Sequence, residues 1–166
     1  MNFLKMRTRS ALRKNTTLRA SIPYKQAHSI GIIFTVENQQ KHQDIKEFIH
    51  LLEKEGKKVQ VLEYLPKKKE NYEFLFDFFS IEDLTFWGNL NSDKAVQFSQ
   101  TSFDYLFCID TESNPLILNI MARSKAHCRV GRFRELESPF FEMMIEQNGT
   151  AKGLIETMYK YTKQLR

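Results

Sequence analysis

Two runs of this chain are apolar at nearly every position: residues 29–36 (SIGIIFTV) and 103–110 (FDYLFCID). A strand with one wet face alternates polar and apolar residues, and neither run does so. Such runs suit strands covered on both sides, the condition of a parallel sheet with helices above and below it. The sequence after the first run agrees. Residues 40–55 (QKHQDIKEFIHLLEKE) place Ile45, Phe48, Ile49 and Leu52 at helical spacing. Gly56 follows, where a helix prefers a left-handed cap. Residues 59–65 (VQVLEYL) alternate and stop at Pro66. Strand, helix and strand with short links make a βαβ unit, whose crossover is right-handed almost without exception.

The pattern continues downstream. It predicts a short strand within 74–79, another at 85–87, and a helix over 91–100 capped by Asn91 or Ser92. After the strand at 103–110 comes a helix over 115–126, with Asn114 as N-cap and Pro115 at its first position. Strands at 128–133 and 140–146 follow, then a closing helix over 150–165 with Leu154, Ile155, Met158 and Tyr161 inward. The expected fold is α/β: a three-layer Rossmann-like sandwich with a mainly parallel sheet of five or six strands. The chain has 166 residues, which fits one such domain, here 28–166. With 42% hydrophobic and 27% charged residues, it is not disordered by composition. No apolar run approaches the roughly 20 residues that a membrane-spanning helix needs.

Charge is distributed unevenly. The first acidic residue is Glu37, and before it stand Lys5, Arg7, Arg9, Arg13, Lys14, Arg19 and Lys25. The first 36 residues therefore carry +7, and the remainder, with 18 basic and 20 acidic residues, carries −2. Residues 1–27 read as a basic arm, partly helical. Lys5, Arg7, Arg9, Arg13, Lys14 and Arg19 are the residues expected to contact an anionic partner: nucleic acid such as RNA, a ribonucleoprotein, or an anionic membrane surface. A solvated tail that only aids solubility is the competing reading. Lys5, Arg7 and Arg9 interrupt any signal-peptide core. Cys108 and Cys128 read as reduced, buried residues, and a cytoplasmic location is expected.

Ligands of open parallel sheets sit beyond the strand carboxyl ends, where the winding reverses. The candidate ligand rim here is Glu37, after the first strand, with Asp110, Glu112 and Asn114 after FDYLFCID. A carboxylate at Asp110 could act as a base or bind a hydroxyl. The same residue types also serve as turn and cap residues. The first strand-to-helix link, TVENQQKHQD, contains no glycine, and neither GxGxxG nor GxxxxGK[ST] occurs. No cofactor is expected. The four histidines are scattered, no metal set is formed, and neither cysteine has the context of a nucleophile. No catalytic residue is assigned. A non-catalytic binding module leads, and a small ligand-binding or transferase-like domain around Asp110 is the alternative.

Two further features remain open at this point. Arg129, Arg132 and Arg134, with Arg123 and Lys125 before them, form a second basic patch that either joins the arm or offsets Glu135 and Glu137. The 21 aromatic residues read mainly as core, with Trp87 filling a gap under the sheet edge. A third reading has an exposed aromatic edge near Phe86 and Trp87 docking another chain.

Several segments carry a resemblance: SIGIIFT after a basic helical arm, FFSIEDLTFWGNL, FDYLFCIDTESNPLILNIMARSKAHCRVG, and FFEMMIE before the last helix. With these, the chain resembles a Bacteroidetes family of short proteins described as a domain of unknown function, along nearly its whole length. That resemblance implies no residue role. The segment from FDYLFCID to ARSKAHCRVGRF is also similar, over about thirty residues and at the level of fold, to the N-terminal, acceptor-side half of heptosyltransferase-type glycosyltransferases. The chain lacks the second domain that holds the sugar nucleotide in those enzymes.

Overall fold

The computed structural model describes residues 2–147 and 149–166. Its elements in chain order are α1 (Phe3–Lys14), β1 (Ser29–Thr35), α2 (Gln39–Lys54), β2 (Lys58–Tyr64), β3 (Asp77–Phe79), α3 (Asp93–Gln100), β4 (Tyr105–Cys108), α4 (Pro115–Arg123), β5 (Cys128–Arg132), β6 (Met143–Ile145) and α5 (Ala151–Lys163). The strands form one sheet in the order β3-β2-β1-β4-β5-β6, every neighbouring pair parallel. The fold is thus α/β, with a six-stranded parallel sheet between helical layers. β1 pairs with β2 from Ser29↔Lys58 to Thr35↔Tyr64, and with β4 from Ile30↔Tyr105 to Ile33↔Cys108. The winding reverses between β1 and β4.

The two nearly all-apolar runs are β1 and β4, the central pair, because only central strands lose both faces to the core. One face of the sheet presents Ile30, Ile32, Phe34, Tyr105, Phe107 and Val130 to α2 and α5. The other presents Ile33, Leu62, Phe79, Leu106 and Cys108 to α3 and α4. Asn38 caps α2 through Lys41 N, Ser92 caps α3 through Ala95 N, and Asn114 caps α4 through Leu116 N. Gly56, at φ 82°, closes α2. Cys108 and Cys128 are buried and unbridged.

Three expectations need correction. Residues 85–87 are not a strand. Thr85 N donates to Asn89 O and Gly88 N to Thr85 O, so the segment closes on itself as a tight turn, and only Leu84↔Leu90 pair. Trp87, at the tip of that turn, is 59% exposed and fills no gap. On α5, Leu154, Ile155 and Met158 face inward but Tyr161 does not: Thr162 takes the inner position, eight residues from Leu154, and Tyr161 is left on the flank.

The leader is laid against the body. Leu4 packs on the α3–α4 core, and Asn119 Nδ2 of α4 donates to Thr8 Oγ1 at 2.9 Å, both residues buried. Asn15 caps the end of α4 by donating to the carbonyls of Ala122 and Ser124, each at 2.9 Å. Residues 15–27 then cross the amino-terminal edge of the sheet. Ala20 N donates to His127 O, the Tyr105 hydroxyl donates to the Ile22 carbonyl, and Tyr24 enters the core on the α2–α5 side.

Candidate functional site

α1 has two cationic flanks. Its buried stripe, with Leu4 and Thr8, faces α4. Arg7 and Lys14, seven residues apart, share one flank; Lys5, Arg9 and Arg13, at four-residue steps, share the other. All five are exposed, and among the described residues none forms an ion pair with a carboxylate. Arg19 turns inward instead. Its guanidinium donates to the carbonyls of Ser124 and Ala126, and its Nε lies 3.9 Å from Glu142.

The Arg7–Lys14 flank opens on a broad groove of about 550 Å³, whose other wall comes from the end of α4 and the link to β5. Arg123 and Lys125 stand on that wall, and among the described residues no carboxylate lines the groove. Arg123 is held below the usual guanidinium range, first by partial burial and then by the charge of Arg7. Its buried Nε has no hydrogen-bond partner among the described residues. Four cations thus crowd one groove without internal neutralisation, an arrangement that an anion relieves.

Aromatic rings continue this surface. Arg7 Nε donates to the Trp87 carbonyl at 3.3 Å, and the Phe3 ring meets Trp87 edge-on at 5.4 Å. Phe86 is 80% exposed beside it, 5.1 Å from Trp87 between ring centroids. Gly88 makes the junction. It has φ 80°, and a Cβ there would sit 2.5 Å from the Phe3 carbonyl carbon. The turn is therefore seated directly on the α1 backbone.

The strand rim is closed differently. Asp110 is buried and accepts from Thr35 N at 2.7 Å, Thr35 Oγ1 at 2.6 Å and Lys41 Nζ at 2.8 Å. Lys41, also buried, donates to the Thr35 carbonyl as well, and Glu37 lies 3.3 Å from it. Asn114 Nδ2 donates to Thr35 Oγ1. The structure thus brings Glu37, Asp110 and Asn114 into one network across the β1–β4 switch point. Glu112 stays exposed at the edge of a space of about 20 Å³, room for about one water.

A model of a family of unknown function, DUF6913, matches residues 1–165. The chain belongs to the DUF6913 family. No curated protein and no solved structure matches it. Among the described residues of this DUF6913 chain, no helix is long and apolar enough to cross a membrane, and no group of three or more His, Cys, Asp or Glu residues is placed to hold a metal ion.

The second basic patch separates into different roles. Arg129 is buried: it pairs with Glu142 at 2.6 Å and donates to the Met121 and Pro139 carbonyls. Arg132 and Arg134 both donate to the Thr111 carbonyl, tying down the loop after β4. Only Arg123 and Lys125 join the arm's groove. Sequence reading of the DUF6913 chain missed Lys41. A lysine in the first turn of a helix carries no sign of burial when its carboxylate partner is 69 residues away.

Proposed function

We propose that this chain binds single-stranded nucleic acid, RNA in the first instance, along the α1–α4 groove and the Phe86–Trp87 turn. One observation carries the reading: Arg7, Lys14, Arg123 and Lys125 line a groove without a carboxylate and run directly into two exposed aromatic rings. Non-sequence-specific binding of single strands combines these parts, a cationic track for the phosphates and rings on which bases stack. The groove is broad and open rather than a deep cavity, which suits a polymer threading along it. A membrane surface asks for the same cations but adds an apolar face that inserts. Here the apolar stripe of α1 is spent on α4. A site around Asp110 gains no comparable support, because side chains of the protein itself occupy the switch point. We therefore do not carry the glycosyltransferase likeness forward to sugar transfer.

The test is fluorescence anisotropy of a labelled single-stranded RNA across a salt series. Four neutralised phosphates give a slope of log K against log salt of about −3, at about −0.7 per phosphate. Lys14→Gln with Lys125→Gln flattens that slope by about 1.4. Trp87→Ala weakens binding about tenfold or more at every salt concentration, the loss of one stacked base. Absence of RNA binding together with flotation on anionic vesicles overturns the reading in favour of a membrane partner.

A further inference from the structure

A second cavity, unrelated to the cationic groove, lies above the carboxyl ends of β2 and β3. It measures about 600 Å³. Its floor is the first turn of α2, with Gln39, His42 and Gln43, and its wall is the connection between β2 and β3.

His42 is the unusual residue. It is only 3% exposed, yet among the described residues neither ring nitrogen has a hydrogen-bond partner. The closest carboxylate oxygen, on Glu73, is 3.8 Å from Nε2, too long for a hydrogen bond. Glu73 is itself held by Lys46 Nζ at 2.9 Å. The imidazole packs beside the rings of Tyr72 and Phe76, with centroids 5.6 and 5.4 Å away. Burial, the largest influence, lowers its pKa; Glu73 opposes this and Lys46 adds to it. The ring is neutral at neutral pH, so it offers one N–H donor and one bare nitrogen acceptor. Asn71 Oδ1, on the cavity wall, is likewise buried without a partner. Buried polar atoms are nearly always matched in folded proteins, so three unmatched in one place call for a cause.

The rest of the wall narrows what that cause is. Tyr72, Phe74 and Phe78 supply flat apolar surface, and Phe74 is 86% exposed at the mouth. Lys69 and Glu70 offset each other in charge, and Glu73, which also lines the cavity, is offset by Lys46 behind it. Lys68, Glu73 and Phe74 hold positive φ angles of 67°, 58° and 48°, a strained run of the sort that gathers at ligand sites. A flat apolar slot with a neutral donor, neutral acceptors and no net charge fits an uncharged planar heteroaromatic ring. We infer that this cavity binds a nucleobase, presented as a nucleoside, with His42 reading its hydrogen-bonding edge and the Tyr72, Phe74 and Phe78 rings enclosing its faces. The inference stands apart from the RNA reading, because no residue of the cationic groove takes part.

Titration of adenosine, guanosine, cytidine and uridine into the full chain, followed at the His42 ring resonances by NMR, tests it. At least one nucleoside is expected to shift those resonances saturably, with Kd below about 1 mM. His42→Phe keeps a ring beside Tyr72 and Phe76 but removes both nitrogens, and is expected to weaken binding at least tenfold. Phe74→Ala alters an exposed side chain, so it reports on the mouth even if the His42 variant fails to fold, and a loss of affinity of severalfold is expected. Unmoved His42 resonances with all four nucleosides at millimolar concentration overturn the proposal. So does a folded His42→Phe chain, or a Phe74→Ala chain, that binds as tightly as the parent.

Discussion

Glu63 lies on β2, one strand in from the edge of the sheet, between its register partners Phe34 on β1 and Phe78 on β3. It is fully buried, and neither carboxylate oxygen has a partner among the described residues. Burial alone pushes its pKa up to about 7, from 4.5. A raised carboxylate pKa means that the folded state holds the proton more tightly. Its contribution to stability is therefore complete below pH 4.5 and is lost as pH rises through about 7. Glu63→Gln should be close to neutral at pH 4.5 and stabilising at pH 8, by roughly 1–3 kcal/mol. Paired thermal melts of the two chains at those pH values check this; a gain that does not grow with pH contradicts it. His42 shifts in the opposite sense in both chains, so it cancels from the difference. Neither residue announced itself in the sequence. Glu63 sits in an alternating strand where a carboxylate reads as solvent-facing, and its burial follows from β3 pairing outside it. Asp110 was legible because it ends an apolar strand. Its role as a closed internal partner was not, because Lys41 reaches it only through the fold.

At the scale of elements, the turn at 85–89 joins the cationic helix to the exposed rings, and Gly88 is its hinge pin. Gly88 and Gly56 have nearly the same φ, 80° and 82°, but only Gly88 has a neighbour, the Phe3 backbone, where a Cβ would go. Both Gly→Ala changes carry the left-handed backbone penalty of about 1 kcal/mol. Gly88→Ala should cost more, lowering Tm by several degrees beyond Gly56→Ala at about 2–4 °C per kcal/mol, and it alone should weaken RNA binding. Equal melts for the two variants would remove the contact argument. Elements of eight or more residues with a full apolar stripe were legible, as α2 and α5 illustrate, and so were caps with local donors such as Asn114. The short pieces were not. The expected strand at 140–146 contracts to Met143–Ile145, because residues up to Phe140 coil into a 3-10 turn around Pro139. The docking of α1 was hidden for another reason. Its apolar side is ragged, and a polar pair, Thr8 with Asn119, contributes to its seat.

At the scale of the whole molecule, the leader is part of the architecture while its cations still face outward. Residues 15–27 bridge from the α4 layer to the α2–α5 core beneath the sheet, so removing residues 1–22 should do more than delete charge. The shortened chain is expected to lose a single cooperative unfolding transition, or to melt well below the parent. A detached solvated arm predicts an unchanged melt, and calorimetry distinguishes the two. The alternation of strands and helices made the layered fold legible. The strand order was harder to reach, because residues 29–35 take partners from both later halves of the chain. The Thr8–Asn119 contact spans 111 residues. At roughly 5–20 residues per second, translation needs about 5–20 s to supply the second partner after the first. For that interval the side of α1 that later lies against α4 has no partner within the growing chain, so the leader can settle only after most of the sheet has been made.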